Sequence, residues 1–229
     1  MQDLRQPGGD PAHTISIVGL LGQVMQPNLR PNLRVVGGGD AISQRRDFDD
    51  LARLTLPRIL VERVEAREIP PLLAFAAGEI PALAAASGAV SRVAERNRDS
   101  VWVFRRGAAP VGIYAMLHLS KDGLERLLLG ELDTTQPDPR ALVASGEAPS
   151  AIYKWAVVAP GMASAGICAI SRMLQADRYA TANLFARPTT MGGERIMASL
   201  GFGRVRSGLP DLHRYVRVAN RVGHSMAAA

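Results

Sequence analysis

Hydrophobic and polar residues alternate along residues 58–66, RILVERVEA, a pattern typical of a β-strand. Residues 67–99 instead repeat apolar residues at helical spacing, which predicts two helices. We expect these helices to be broken near residues 78–81 and the second to be capped by Ser87. Residues 101–120 contain two runs of strand-forming residues separated by a Gly-to-Pro turn, so this segment predicts a hairpin.

The second half of the chain repeats a strand and a helix twice. Strand-forming residues fill 151–158, and a helix is predicted from Gly166 to about Ala176. A further strand at 182–190, a helix ended by Gly201 and two short strands complete the pattern. The predicted order, β-α-α-β-β-β-α-β-α-β-β, favours an α/β fold of the mixed α+β type, with helices on the faces of one sheet.

The two ends of the chain lack this periodicity. Residues 1–55 are rich in Pro, Gly, Gln and Asn, which predicts a partly ordered extension with a short strand near 15–20 and a short helix starting at Asp47. We expect the domain at residues 56–220 and a flexible tail at 221–229. The charged, Pro-containing segment 121–149 is long for a connection, and we expect it to shape a substrate entrance.

Composition narrows the classes of protein. Hydrophobic residues make up 47 % of the 229, enough for a sizeable core, and the single cysteine excludes an internal disulfide. The four histidines are scattered, so no metal is expected. The N-terminal apolar run TISIVGLLGQVM is too short to span a membrane, and the acidic residues before it do not suit a secretory signal. A cytoplasmic protein without membrane contact is predicted.

The formal net charge is +6, and Lys121 and Lys154 are the only lysines among the 27 basic residues. The arginines are spread out and not interleaved with aromatic residues, so the sequence does not favour nucleic-acid binding. A cofactor or substrate that carries phosphates fits the same charge.

Small residues crowd the junction between the strand at 151–158 and the helix that follows. Two explanations are open: the helix packs closely against a neighbour, or its backbone N–H groups approach a ligand. A helix N-terminus without large side chains suits a phosphate group.

Three sequence motifs resemble the GCN5-related N-acetyltransferase (GNAT) superfamily over residues 57–220. Val158-Ala159-Pro160 matches the lead-in to that family's acetyl-CoA signature, and Gly166 falls on its first glycine. Ala163 and Cys168 stand where Gln/Arg and Gly/Ala are usual. The triplet Leu200-Gly201-Phe202 resembles the end of the family's last helix, and the hairpin resembles its second and third strands, with Gly112 after the turn.

This resemblance implies a mostly antiparallel central sheet with splayed strands four and five and helices on both faces. It implies acetyl-CoA or another acyl-CoA as co-substrate, with the pantetheine arm inserted between the splayed strands. The backbone would bind the arm at Ala156, Val157 and Val158, and the pyrophosphate at Ala163, Ser164, Ala165, Gly166 and Ile167. Arg172 or Arg187 would supply the charge that Ala163 lacks. Dimers are common in the family, which leaves a homodimer open.

The catalytic groups depart from the family pattern. Relatives often use an acid on strand four and a tyrosine five residues before the Phe of Leu-Gly-Phe, a position held here by Met197. The candidates for acid and base are Tyr153, His118 and Glu147. The alternative is that Tyr153 packs in the sheet and His118 caps a strand end. Two further residues are open: Cys168 as a nucleophile or a buried small side chain, and Lys154 as a buried functional lysine or an edge-facing one.

The predicted function is acyl-CoA-dependent N-acyl transfer, by default of an acetyl group, to a small-molecule or protein amine by direct attack. One alternative is a catalytically silent module of the same fold that binds CoA or a protein. Another is an acyl-homoserine-lactone synthase, although its N-terminal Arg and Trp pattern is not found here.

Overall fold

A computed structural model describes residues 59–189 and 191–217. These residues form one seven-stranded sheet with the order β1-β2-β3-β4-β5-β7-β6. All neighbouring strands are antiparallel except β4 and β5, which run parallel. The strands are β1 Leu60–Arg63, β2 Val101–Arg106, β3 Ala109–Leu119, β4 Ala151–Val158, β5 Asn183–Ala186, β6 Gly203–Arg204 and β7 His213–Tyr215.

Five α-helices accompany the sheet: α1 Ile69–Ala76, α2 Ser87–Arg96, α3 Lys121–Leu129, α4 Ser164–Met173 and α5 Met191–Ser199. Side chains of α1, α2 and α3 pack on one face of the sheet in a cluster that includes Val103, Leu117 and Trp155. Side chains of α4 and of the end of α5 pack on the opposite face, in a cluster that includes Phe104, Met116 and Phe202. We call these clusters the first core and the second core. The sheet therefore has helices on both faces, as an α+β fold with a mixed sheet requires.

The predicted order of strands and helices is confirmed, with one addition. Segment 121–149 was predicted without regular structure, but it begins with α3. Ser120 caps this helix by accepting a hydrogen bond from the Gly123 amide at 3.1 Å, and Gly130 ends it in a left-handed conformation at φ 78°. The sequence contains both signals: Ser120 is a capping residue before the helix, and Gly130 is a terminating glycine after it.

The predicted cap of α2 is wrong. Ser87 is the first helical residue, the cap position is Ala86, and no side chain caps the helix. A 3-10 segment, Pro81–Ala86, leads directly into the helix and takes the place of a capped start. The extension at residues 1–55, with its strand near 15–20 and its helix at Asp47, and the tail at 221–229 were predicted for residues that lie outside the described part.

One aromatic ring explains several small residues around the junction before α4. Phe104 on β2 is fully buried, and its ring lies against Gly166 of α4. A Cβ atom at Gly166 would meet three carbons of that ring at a separation that real Cβ atoms do not adopt. A Cβ at Gly112 on β3 would lie 2.6 Å from the Val158 carbonyl oxygen and 2.8 Å from Phe104 Cδ2. Close packing is thus the reason for Gly112 and Gly166.

We expect Gly166→Ala to lower the free energy of unfolding by about 1–3 kcal/mol, because the buried ring cannot move away without opening the second core. Chemical denaturation measures this. The matched control is Gly88→Ala on exposed α2, where a Cβ has room, and it should be neutral or gain up to about 1 kcal/mol.

A double-mutant cycle identifies the partner. In a Phe104→Leu background the cost of Gly166→Ala should shrink, since the ring is gone. An equal cost in both backgrounds contradicts the assignment.

Candidate functional site

A β-bulge in β4 interrupts the regular alternation of its side chains. Ala115 on β3 pairs with Ala156, but the next residue, Met116, pairs with Lys154, so Trp155 is the extra residue. As a result Trp155 and Ala156 both contribute to the first core instead of alternating between faces. The Trp155 indole N–H donates a hydrogen bond of 2.9 Å to the Thr134 carbonyl, which anchors the bulge to the loop after α3.

The pairing of β4 with β5 ends at this bulge, where β5 itself ends. Their pairing runs from Ala151 opposite Asn183 to Lys154 opposite Ala186, and there it ends. β4 continues to Val158 and stays paired with β3 on its other side. Within the described residues no strand pairs with the β5-facing edge of β4 beyond Lys154. Among the described residues the backbone of Ala156, Val157 and Val158 therefore has no strand beside it on this edge, although the three residues are buried. We call this stretch of the β4 edge the gap.

The gap leads toward the N-terminus of α4. Beyond Pro160 the chain makes a 3-10 turn, Gly161–Ala163, and then enters the helix with Ala163 at the cap position and no side chain bonded to the cap. The Ser164 hydroxyl donates a hydrogen bond of 2.9 Å back to the Gly161 carbonyl, and the first turn has no acidic residue. Such an end presents backbone N–H groups and the positive end of the helix dipole.

The residues of this helix start differ in what they can contact. Ser164 is partly exposed, whereas Ala163, Ala165, Gly166 and Ile167 are buried. Gly161 has φ 54° and open space around its α-carbon, so its conformation rather than crowding calls for glycine. Packing therefore explains Gly166, and a left-handed turn explains Gly161. The approach of a ligand to the N–H groups stays a prediction.

A shallow cavity of about 370 Å³ adjoins this helix start. Pro160 and Ala163 form one side, and Phe75 and Val111 lie across from them. Arg106, at the end of β2, is the charged residue of the lining. The cavity thus places a guanidinium on the same end of the sheet as the start of α4.

The structure does not bring two of the predicted catalytic side chains together. Tyr153 pairs with Leu117 and lies in the first core, whereas His118 pairs with Ile152 and contacts Tyr179 on the opposite face of the sheet. Successive residues of a strand point to opposite faces of the sheet. Tyr153 lies opposite Leu117, the neighbour of His118, so the side chains of Tyr153 and His118 are on different faces. Tyr153 and His118 cannot act as acid and base on one acyl group.

His118 is buried in a polar cluster at the far end of the sheet from the start of α4. Its Nδ1 lies 3.3 Å from the Ser100 hydroxyl, and its Nε2 is buried with no partner among the described residues. Burial lowers the pKa of His118 to about 4, although the charge of nearby Asp99 opposes this. The imidazole is therefore neutral near pH 7.

Asp99 organises that cluster. One carboxylate oxygen accepts a bond of 2.7 Å from Arg63, and the other accepts bonds from Arg178 at 2.7 Å and from the Tyr179 hydroxyl at 3.1 Å. The backbone carbonyl of Asp99 accepts a bond of 2.7 Å from the Trp102 indole. This network ties β1, β2 and the turn after α4 together, which is a structural role.

The other sequence candidates lie in varied settings. Glu147 is exposed, and its carboxylate accepts a bond of 2.8 Å from the Ala144 amide within its own turn. Met197 is buried in the second core. Cys168 is buried, and burial raises the pKa of its thiol, which disfavours the nucleophilic thiolate. Arg172 is exposed on α4, and Arg187 directly follows β5.

Lys154 was left open by the sequence as either a buried functional lysine or an edge-facing one. The structure places it on an interior strand, with 7 % of its surface exposed and its Nζ 4.4 Å from the centroid of the Phe202 ring. Burial lowers the pKa of Lys154 from its ordinary 10.5 to about 7. No local pattern could reveal this, since the sequence does not tell which strands flank β4.

The described residues contain neither a metal-binding cluster nor a membrane-spanning helix. No group of three or more His, Cys, Asp or Glu side chains in residues 59–189 and 191–217 could hold a metal ion. None of the helices in the same ranges is both long and apolar enough to cross a membrane. Comparison with known proteins gives no match: no family model, no curated protein and no solved structure matches this chain.

We expect Asp99→Asn to destabilise the protein by about 3 kcal/mol, because it leaves two guanidinium groups facing an uncharged amide at a buried position. This loss of unfolding free energy lies at the lower end of what breaking a buried ion pair costs, because the Arg63 side chain is half-exposed and solvent screens its charge. Denaturant unfolding tests this against Asp138→Asn, whose partner Arg126 is at the surface and whose loss should cost clearly less than that of Asp99. Equal effects of the two variants contradict a stabilising network at Asp99.

The buried lysine predicts a pH dependence of stability. Below pH 7 Lys154 is charged in both the folded and the unfolded chain, so the cost of burying the charge is complete. Between pH 7 and 10.5 the folded protein releases a proton that the unfolded chain keeps, so this group makes stability rise by up to about 1.4 kcal/mol per pH unit.

Lys154→Met removes that cost. The variant should therefore be more stable than the wild type below pH 7, and the difference should shrink as the pH rises toward 10.5. Thermal unfolding over this range measures it, with the exposed Lys121→Met as the control. A difference that does not vary with pH would show that Lys154 does not titrate in this window.

Proposed function

We propose that this protein is an acyl-CoA-dependent N-acyltransferase with a GNAT-like fold, with acetyl-CoA as the default acyl donor. One observation supports the proposal: β5 and its pairing with β4 end at Ala186 and Lys154, while β4 itself continues to Val158. The resemblance in sequence leads to the same expectation, since it implies splayed fourth and fifth strands.

The gap suits an extended ligand that carries amide groups. Backbone N–H and C=O groups on an interior strand are costly to leave without partners, and an arm with amides can bond to them as an added strand would. Ala156, Val157 and Val158 offer these groups, and their small or β-branched side chains are buried on the two faces of the sheet. The pantetheine arm of CoA is such a ligand.

Phosphate groups of the same ligand would lie at the start of α4. The backbone of residues 163–167 follows the end of β4 directly, so an arm along β4 brings its phosphates to this helix end. The uncapped first turn favours negative charge, and Ser164 is the partly exposed side chain there. Arg106 lines the cavity beside this helix start and fits the surplus of positive charge. Arg172, a predicted source of charge, lies in the last turn of α4, at the other end of the helix.

The donor supplies an activated acyl thioester, and the chain has to orient it and bind the charge that develops on its carbonyl oxygen. The backbone beside the bulge at Trp155 is rigid because the indole is bonded to the Thr134 carbonyl. Fixed N–H groups at such a position can stabilise an oxyanion without reorganising.

A second candidate function is a catalytically silent module that binds CoA. The observations that favour it are Met197 at the position of the family's usual tyrosine and the separation of Tyr153 from His118 by the sheet. Free thiol release from acyl-CoA in the presence of amines distinguishes the two.

A thermal shift assay with matched variants tests CoA binding. Acetyl-CoA, longer acyl-CoAs and free CoA should each raise the Tm of the wild type, because a ligand that binds only the folded state stabilises it. S-adenosylmethionine serves as the comparison, since a shift with it favours the lactone-synthase alternative.

Ser164→Asp places a carboxylate at the first turn of α4, and Ser164→Asn is its uncharged counterpart. The Asp variant should keep or gain stability without ligand through the helix dipole. Its Kd for CoA should nevertheless rise about tenfold, because one repulsive charge costs about 1.4 kcal/mol. The Asn variant should stay close to the wild type. Equal CoA affinity of the two variants, or no shift for the wild type, contradicts the proposed site.

A further inference from the structure

The end of the gap between β4 and β5 is the place where a reaction on a bound thioester would occur. If the phosphates of CoA lie at the start of α4, the pantetheine arm runs along β4 from Val158 back to Lys154. Four residues of strand span about 13 Å. The gap closes at Lys154 and Ala186, so the thioester end of the arm would lie there.

Lys154 is the ionisable side chain at that closing point. It leans from β4 toward the β5 side, since its Nζ lies over the ring of Phe202, which packs in turn against Tyr215 on β7. Ala186, its partner on β5, has only a methyl group, which leaves the lysine room to extend. Lys154 and Val157 belong to the same face of the sheet, so the ammonium and the upper part of the gap share one side.

We propose that Lys154 is the catalytic acid of this protein and gives a proton to the departing thiolate of CoA. The inference rests on the acyltransferase function proposed above. As the amine nitrogen forms its bond to the acyl carbon and the C–S bond breaks, an N–H proton of Lys154 moves to the sulfur. The proton that the attacking nitrogen loses on becoming an amide returns to the lysine, so the ammonium is restored and the products are a neutral amide and a thiol.

Acidity supports the direction of this transfer. An aliphatic thiol has a pKa of about 8.5, and an ordinary lysine, at about 10.4, would give its proton up unfavourably. Burial lowers the pKa of Lys154 to about 7, so transfer from its ammonium to a thiolate is downhill. The apolar surroundings that disfavour the charge in the free protein are the reason that the lysine is a useful acid.

The neighbouring elements provide no competing acid of suitable strength. Tyr114 on β3 lies on the same face, and its hydroxyl has no partner among the described residues, but burial raises its pKa far above the ordinary value. Met197 cannot donate a proton. The adjoining elements carry further ionisable groups. Glu194 on α5 accepts a hydrogen bond of 2.7 Å from Arg204, and Arg187 follows β5. His213 on β7 has its Nδ1 2.9 Å from the Asp211 carbonyl oxygen.

The test compares three full-length variants: Lys154→Met, Lys154→Arg and Tyr114→Phe. Isothermal titration with CoA comes first and should give the Met variant a Kd close to that of the wild type. Turnover of acetyl-CoA with a panel of amines, followed as free thiol, should then show kcat lower by about 10²–10⁴-fold in both Lys154 variants, with KM changed much less. The Arg variant keeps a positive charge but holds its protons too tightly to donate them. Tyr114→Phe should keep most of the activity.

The pH profile separates an acid from a merely structural lysine. In the wild type kcat should fall as the pH rises above about 7, as the ammonium is lost, and the residual activity of Lys154→Met should lack this decline. A Lys154→Met variant with wild-type kcat and pH profile overturns the acid role and leaves the acyltransferase function standing. Loss of activity in Tyr114→Phe with activity kept in Lys154→Met also overturns it.

A wild type that binds no CoA contradicts the proposed function itself, and the acid role falls with it.

Discussion

The extra residue in β4 is the constraint on which the candidate site depends. A sheet strand can keep both neighbours only while its two edges stay in register with them. Trp155 breaks the register with β3 by one position, and at the same point the pairing with β5 ends. The Trp155 indole lies in the first core and donates a hydrogen bond to the Thr134 carbonyl, which holds the bulge in place. Lys154 lies at the last paired position, and the buried residues Ala156, Val157 and Val158 follow it along the gap.

The second requirement is that α4 lies close to the sheet. Phe104 occupies the space between β3 and α4, and it fits only because Gly112 and Gly166 have no Cβ. The same contact sets where the helix begins relative to the end of β4. Close packing therefore accounts for Gly166, since the ring that excludes a Cβ there also holds α4 against β2 and β3.

Asp99 and Lys154 are both buried, but their surroundings differ. Asp99 is buried with two guanidinium groups and a hydroxyl on its oxygens, so its charge is compensated. Lys154 is buried beside the face of Phe202, and burial alone accounts for its lowered pKa. Removing one partner of such a network is costly, because it leaves the other charges without compensation. A charge whose pKa is set by burial stays able to exchange a proton near neutral pH, which is the property that chemistry requires.

The sequence by itself determined the succession of strands and helices from β1 to β7, because alternation, helical periodicity, glycines and prolines are local signals. It also singled out the junction at Pro160 and the residues of β4. It missed α3 despite its capping residues, and it paired Tyr153 with His118. Only the tertiary structure decided that these two lie on opposite faces, that Phe104 explains Gly166, and that Lys154 lies inside the sheet. These depend on the order of the strands and on the bulge at Trp155, which arise from contacts between residues far apart in the chain and leave no pattern within one segment.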